Sequence, residues 1–443
     1  MMNSNCEAVE LSVVQGLNPA IFFYTPKPKE VIPIEKLFVG IDVAKNSLVA
    51  HAMDNNGDDV FHSFEVENNN PGCLKLIDFI AKHAIDYEID IIQLGMEATN
   101  VYWEHCYQLF QDSDKLNTNF NLLIYTINPK VVKNFKKAYN DLPKTDRVDA
   151  WVIADRLRFG RVKSSSTPEE VYRPLRQITR FRFKLGETMR AEKNRALTLI
   201  FLKFSNYDDS SPFGTFSDAS MALLEEFTLE EIITTDIKEL AKFLFENSNN
   251  RLGGSTSIDD IIKILKKAAR NSYRLKPRMD QAISQTLAMT FDNIRFFDRQ
   301  LKRAKKVITR ELKAIPQTLD TVDGIGPILT AGIISEIGDI NRFDNQASLA
   351  SYAGLTWTRH QSGSFEAEET SLTKKGNKYL RYYLVEAANS LRVHNEEYRQ
   401  YYYKKYNESN KHKHKRALVL TARKFVRLVF ALLSKGEIYQ PRR

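Results

Sequence analysis

Four acidic residues stand where their chemistry needs explaining. Asp42 lies inside the apolar run Leu37-Phe38-Val39-Gly40-Ile41-Asp42-Val43. A lone carboxylate buried in such a run costs several kcal/mol (on the order of 2–7 for an unpaired polar group), so it calls for a partner, either a cation or a metal. Glu97 closes a second apolar run in Leu94-Gly95-Met96-Glu97-Ala98-Thr99. Asp146 and Asp149 follow in Lys144-Thr145-Asp146-Arg147-Val148-Asp149-Ala150, spaced so that a helix starting there puts both on one face. Converging carboxylates are what a hard divalent cation such as Mg²⁺ requires, and Mn²⁺ can take its place. Such ions activate a nucleophile and stabilise the leaving oxygen when a phosphodiester is cut. Each acid alone has a plainer reading. Asp146 can cap its helix, and Asp149 can pair with Arg147 or Arg156. The four together point to metal-dependent phosphodiester chemistry.

These acids need elements to hold them. The apolar run at 37–43 reads as a strand, 47–53 as a second and 60–66 as a third, with Asp54-Asn55-Asn56-Gly57 as a turn. Pro71 opens a helix to about His83, with Leu74, Ile77, Phe79 and Ile80 as its apolar positions. A strand at 89–96, a helix near 102–110, a strand at 122–127 and helices at 129–139 and 148–159 complete the segment. Three strands joined by short turns, then alternating helices and strands, give an α/β arrangement on a mixed sheet, in the order of the ribonuclease H-like fold.

The chain has 443 residues, enough for two or three domains. Residues 1–35 read as an extended arm punctuated by Pro26, Pro28 and Pro33, and 36–160 as the acidic α/β domain. Residues 161–315 open on the linker Ser164-Ser165-Ser166-Thr167-Pro168 and hold long helices over 169–204 and 279–314. A polar insertion at about 205–257 separates them, which suggests a helical hairpin or coiled-coil arm. Residues 316–405 form a mostly helical domain, and 406–443 a basic C-terminal tail ending in an amphipathic helix. Near the start of that fourth segment, Gly324-Ile325-Gly326-Pro327 reads as a hairpin between helices. The small residues Gly324 and Gly326 let backbone approach a phosphate, and the following helix start favours an anion. A tight helix–helix turn is the plainer alternative.

A formal net charge of +9 favours a polyanionic partner, nucleic acid first. Arg173, Arg176 and Arg180 lead a series of basic residues along the first long helix. Cys6, Cys73 and Cys106 are too scattered for a zinc pair or a disulfide framework, which points to a reducing cytoplasm. No apolar run is long enough to cross a bilayer, so no membrane partner is expected.

The motifs Val39-Gly40-Ile41-Asp42-Val43-Ala44-Lys45, Gly95-Met96-Glu97-Ala98-Thr99 and Lys144-Thr145-Asp146-Arg147-Val148-Asp149-Ala150 resemble the three acidic motifs of the DEDD transposases. This is the insertion-sequence family numbered one hundred and ten, whose first domain is similar to the Holliday-junction resolvase RuvC. Leu349-Ala350-Ser351-Tyr352-Ala353-Gly354-Leu355, Arg359-His360-Gln361-Ser362-Gly363-Ser364 and Leu372-Thr373-Lys374-Lys375-Gly376-Asn377-Lys378-Tyr379-Leu380-Arg381 resemble the same family's second domain. The resemblance spans about 36–160 and 316–400. It implies Mg²⁺ at Asp42, Glu97, Asp146 and Asp149, and a nucleophilic serine at Ser362 that becomes covalently joined to DNA. Read from its residues alone, Ser362 is an ordinary turn serine, and Ser364 is the next choice. The resemblance further implies donor and target DNA, a structured guide RNA, a dimer or tetramer with a composite site shared between subunits, and a nucleoid-associated cytoplasmic location. Arg359, Lys374, Lys375 and Arg381 could hold phosphates. Beyond Ser362 the chain departs from the family, with acidic Phe365-Glu366-Ala367-Glu368-Glu369 where the family is basic and glycine-rich.

Two other functions fit parts of this pattern. A resolvase would use the acids alone with water as nucleophile, and would form no protein–DNA adduct. A nucleic-acid-binding protein with a decayed site would lack some of the acids, and all four are present.

Overall fold

The computed structural model describes residues 36–98, 100–139, 142–162, 170–207, 214–248, 257–357, 361–362, 365–366, 372–373 and 375–441. The chain divides into two compact units, residues 1–166 and 167–443. The expected linker over 164–168 and the arm over 1–35 lie outside the described residues.

In the first unit, β1 (Lys36–Val43), β2 (Ser47–Met53), β3 (Asp59–Glu67), β4 (Ile91–Glu97) and β5 (Asn121–Ile127) form one sheet in the order β3-β2-β1-β4-β5. The first three strands run antiparallel, while β4 lies parallel to β1 and β5 parallel to β4. The Asp54–Gly57 turn forms as expected, with the Asp54 carboxylate accepting from the Asn56, Gly57 and Asp58 amides.

Strand β1 alternates in the way a two-sided sheet demands. Leu37, Val39, Ile41 and Val43 enter one core with Leu76, Ile77 and Ile80 of α1 (Asn70–Asp86). Phe38 enters the other, with Val152, Ile153, Ala154 and Leu157 of α5 (Asp146–Arg158). Between these helices the chain forms α2 (Trp103–Gln111), α3 (Asp114–Asn119) and α4 (Pro129–Lys136). The expected apolar position Leu74 is instead 46% exposed, and the face of α1 that enters the core carries Gly72, Cys73 and Leu76.

In the second unit, α6 (Arg173–Lys203) and α11 (Pro277–Leu312) pack side by side, as the two long helical stretches suggested. Ala196, Ile200 and Phe204 share a core with Leu287, Phe291 and Ile294, and with four helices between the long pair. These are α7 (Asp218–Glu226), α8 (Leu229–Thr234), α9 (Ile237–Glu246) and α10 (Ile258–Asn271). Leu175, Ile308 and Leu312, toward the other ends of the pair, join a second core. That core is completed by α12 (Pro327–Ile337), α13 (Gln346–Tyr352), α14 (Lys378–His394), α15 (Glu396–Asn407) and α16 (Lys413–Lys435).

Helix α16 is the amphipathic helix expected at the end of the basic C-terminal segment, and its apolar face, with Ala422, Phe425, Val426, Val429 and Leu432, is built into the same core as Leu380 and Leu384. No helix among the described residues is long and apolar enough to cross a membrane.

Candidate active site

Two glycines determine where the acids sit. Strands β1 and β4 run in parallel register with Gly40 beside Gly95 and Ile41 beside Met96. A methyl group on Gly40 would stand 2.1 Å from the Ala150 carbonyl oxygen and 2.4 Å from the Ala154 nitrogen. One on Gly95 would stand 2.9 Å from Leu157 Cδ1 and 3.2 Å from Ile153 Cγ2. Gly40 is therefore a seat on which the backbone of α5 rests directly, and Gly95 leaves room for the Leu157 and Ile153 side chains of the same helix. Two residues further along each strand, on the same face, stand Asp42 and Glu97. The close seating of α5 thus brings its acidic first turn toward the ends of the two acid-bearing strands.

That first turn is available for chemistry because another residue caps the helix. Thr145 is the cap, its hydroxyl accepting from the Val148 amide at 3.3 Å. Asp146 is therefore not used as the cap. Asp149 does not pair with Arg147 or Arg156, the plainer option above. Its carboxylate receives the ammonium of Lys136, with Nζ 2.5 Å from Oδ1.

Three of the acids act on the fourth. Burial, then the charges of Asp146, Asp149 and Glu97, push the Asp42 carboxyl from its ordinary 3.8 up to about 6, against one lowering contact from the Val43 backbone. The crowd of negative charge expected from the sequence is thus centred on Asp42. Among the described residues, however, no three His, Cys, Asp or Glu side chains are gathered tightly enough to hold a metal ion as they stand. The donor set itself, all oxygen and carrying excess negative charge, suits a hard divalent cation.

Contacts that the sequence did not signal steady the approach to α5. Tyr139 donates its hydroxyl to the buried carboxylate of Asp155, which also holds Arg158 at 2.6 Å. The Tyr139 ring packs edge-on against Trp151 and Phe135. Of these supports only the glycines left a trace in the sequence, as the repeated pattern of glycine, one residue, then an acid at Gly40–Asp42 and Gly95–Glu97.

Two chain segments match transposase family models. Residues 39–204 match the DEDD transposase model, and 316–403 match the transposase model described as the IS116/IS110/IS902 family. The chain belongs to the IS110 family of transposases. The two IS110-family segments follow one another in the order expected and together cover more than half the chain. The Streptomyces clavuligerus "insertion element IS116 uncharacterized 44.8 kDa protein" is 24% identical over 92% of this chain and 97% of its own length. The "pilin gene-inverting protein" of Moraxella lacunata is 22% identical over 79% of this chain and 80% of its own, and that of Moraxella bovis gives the same figures.

The second compact unit, residues 167–443, distributes its expected contact residues unevenly. Arg176 and Arg180, expected as phosphate contacts, both reach Glu336 of α12 within the protein. Glu336, fully buried on α12, receives Arg180 through both carboxylate oxygens at 2.7 and 2.8 Å. It also receives the Asn377 amide at 2.7 Å, while Arg176 donates to the Ser335 carbonyl at 3.0 Å. A buried carboxylate needs such partners, and these guanidiniums hold α6 to α12. Arg381 likewise donates to the Ala353 carbonyl at 3.0 Å.

Arg173 opens α6, and Lys375 is exposed. Gly324, at φ +90°, is packed against α14, with its carbonyl accepting from Ser390 Oγ at 2.6 Å and His394 Cβ 3.0 Å from where its own methyl would lie. Gly326 stands just before α12, at its N-cap, and has open space where a side chain would be. Ser362 pairs through its backbone with Phe365 in a ribbon of Gln361–Ser362 and Phe365–Glu366. The Ser362 side chain, Arg359, Ser364 and Lys374 lie outside the described residues.

Proposed function

We propose that this member of the IS110 family cuts and rejoins the DNA of a mobile element. In this reading Asp42, Glu97, Asp146 and Asp149 hold Mg²⁺ or Mn²⁺, on a ribonuclease H-like domain. The observation that carries it is the charge crowding on Asp42, produced by seating α5 on Gly40 and Gly95. Three acids that raise the cost of a fourth are a poor arrangement for stability alone and a fitting one for a site made to take up positive charge. When bound, the cation would polarise the phosphate and ease departure of the leaving oxygen. The residues of α5 and the two strands fix the carboxylates, and the glycine seat fixes the helix.

Ser362 is the proposed nucleophile. Attack by its Oγ forms one phosphoester as another breaks, so the strand end stays covalently held and can be passed to a new partner without an external energy source. Relatives named for inverting a pilin gene support rejoining over simple cleavage. We further propose that the partners are donor and target DNA, chosen by pairing with a structured guide RNA, and that a homo-oligomer acts. A protein so guided would contact mostly backbone and shape.

The test is strand exchange on a plasmid carrying the element's ends, with wild type and Asp42→Asn compared at equal DNA occupancy. Exchange in wild type and its loss in the variant, with DNA binding kept, supports the assignment. Unchanged exchange in the variant overturns it.

A further inference from the structure

Lys136 contacts the acidic site through Asp149, and the family motifs quoted above leave it without a role. It is the last residue of α4, where the helix dipole favours a cation, and Asp149 is in the first turn of α5, where it favours an anion. Their side chains are only 22% and 28% exposed, so water and salt screen the pair less than a surface ion pair. The lysine is also held in place from behind. Phe135 and Tyr139, on either side of it in the chain, pack on one another, and Tyr139 is fastened to Asp155 and Trp151 of α5. The guanidinium of Arg156, also on α5, lies over the Phe135 ring at 5.4 Å. An aromatic clamp therefore fixes the end of α4 against the helix that carries two of the four acids.

We propose that Lys136 is a positioning residue of the acidic site, whose ammonium holds Asp149 in place and competes with a divalent cation for that carboxylate. The inference rests on the reading of the four acids as a cation site, and adds a built-in competitor to it. The pair occupies one carboxylate and leaves the repulsion on Asp42 in place. An ion that several acids can share would displace a single charge that satisfies one. Freed from Asp149, the lysine would remain beside the site as a cation, where a phosphate oxygen would be its natural partner.

The experiment measures Mn²⁺ binding to the full-length protein, without DNA, by calorimetry and by the paramagnetic resonance signal of free Mn²⁺. Lys136→Met keeps the aliphatic stem and removes the charge, Lys136→Arg keeps the charge, and Asp42→Asn reports on the cation site itself. The inference expects Lys136→Met to bind Mn²⁺ about tenfold more tightly, the order expected when a shielded competing charge is removed, and Lys136→Arg to stay near wild type. Thermal melts in chelator establish that each variant is folded, and the gain in melting temperature on adding Mn²⁺ should be larger for Lys136→Met than for wild type. Binding by Lys136→Met that is unchanged or weaker, while Asp42→Asn abolishes binding, overturns the competitor role and leaves the cation site standing. Wild-type binding that is absent or insensitive to Asp42→Asn overturns the cation site and the inference with it.

Discussion

Replacing Asp42 by asparagine should stabilise the protein, although it removes a residue central to the proposed chemistry. Asparagine has the same shape and can still accept from the Val43 backbone, but it carries no charge for Asp146, Asp149 and Glu97 to repel. The carboxyl is raised from 3.8 to about 6. A shift of about two units corresponds to about 3 kcal/mol at 1.36 kcal/mol per unit. Asp42 is only partly buried, so solvent screening reduces this to about 1–2 kcal/mol. The folded state holds the Asp42 proton more tightly than the unfolded chain does. Below about pH 4 both states are protonated, and this contribution is fully present. It is lost as pH rises toward about 6, where the folded state must accept the unfavourable charge. The difference between variant and wild type should therefore be small at pH 4, grow between pH 4 and 6, and level off above. Calorimetry of the full-length protein in chelator would read it as a rise of about 3–6 °C at pH 8 in the transition of the first unit. That transition is identified by its fall in Leu94→Ala, which removes a fully buried β4 side chain. An Asp42→Asn protein no more stable than wild type at pH 8, or a difference that does not change between pH 4 and 8, would refute the reasoning.

Other substitutions test the supports around the site. Gly40→Ala places a methyl against the backbone of α5 and should cost about 2–4 kcal/mol in urea unfolding, with loss of divalent-cation binding, whereas Gly186→Ala, inside α6 where a methyl meets nothing, should stabilise by about 0.5–1 kcal/mol and leave cation binding unchanged. Arg176→Ala removes a partly buried guanidinium from the Glu336 network and should destabilise the second unit by about 1–3 kcal/mol. If it does not bind phosphate, the salt dependence of DNA binding should keep its slope in Arg176→Ala, and a slope reduced by about one would restore it as a phosphate contact.

Much of the acidic site was legible because a carboxylate in an apolar run is informative by itself. Asp42 and Glu97 stand out in this way, and their strands follow the apolar pattern closely. The same rule applies to Glu336, which lies in Ile333-Ile334-Ser335-Glu336-Ile337. Its partners turned out to be Arg176 and Arg180, where those of Asp42 are other acids. Sequence spacing cannot distinguish these outcomes, because a partner more than 150 residues away is chosen by tertiary packing.

Apolar patterning was legible at the C-terminus, where the expected amphipathic helix is α16 and its Phe425, Val426 and Val429 close a core. Helix α3 escaped notice because only Leu116 among its six residues is buried. Helix α10 was legible from Ile261, Ile262, Leu265, Ala268 and Ala269, yet the neighbouring Gly253-Gly254-Ser255 suggested only the end of an insertion. Lys136 carried no signal at all, since its pairing joins the end of one helix to the start of another.

The rejoining half of the proposed activity depends on Ser362, and a direct chemical measurement tests it. Full-length protein would be incubated with Mg²⁺, any required RNA and a DNA substrate bearing a nick that traps the intermediate, then denatured and digested for mass spectrometry. The account predicts a nucleotide phosphoester on the peptide containing Ser362, absent in Ser362→Ala and in Asp42→Asn. Cleaved DNA with no protein attached, or an adduct that persists in Ser362→Ala, would contradict it.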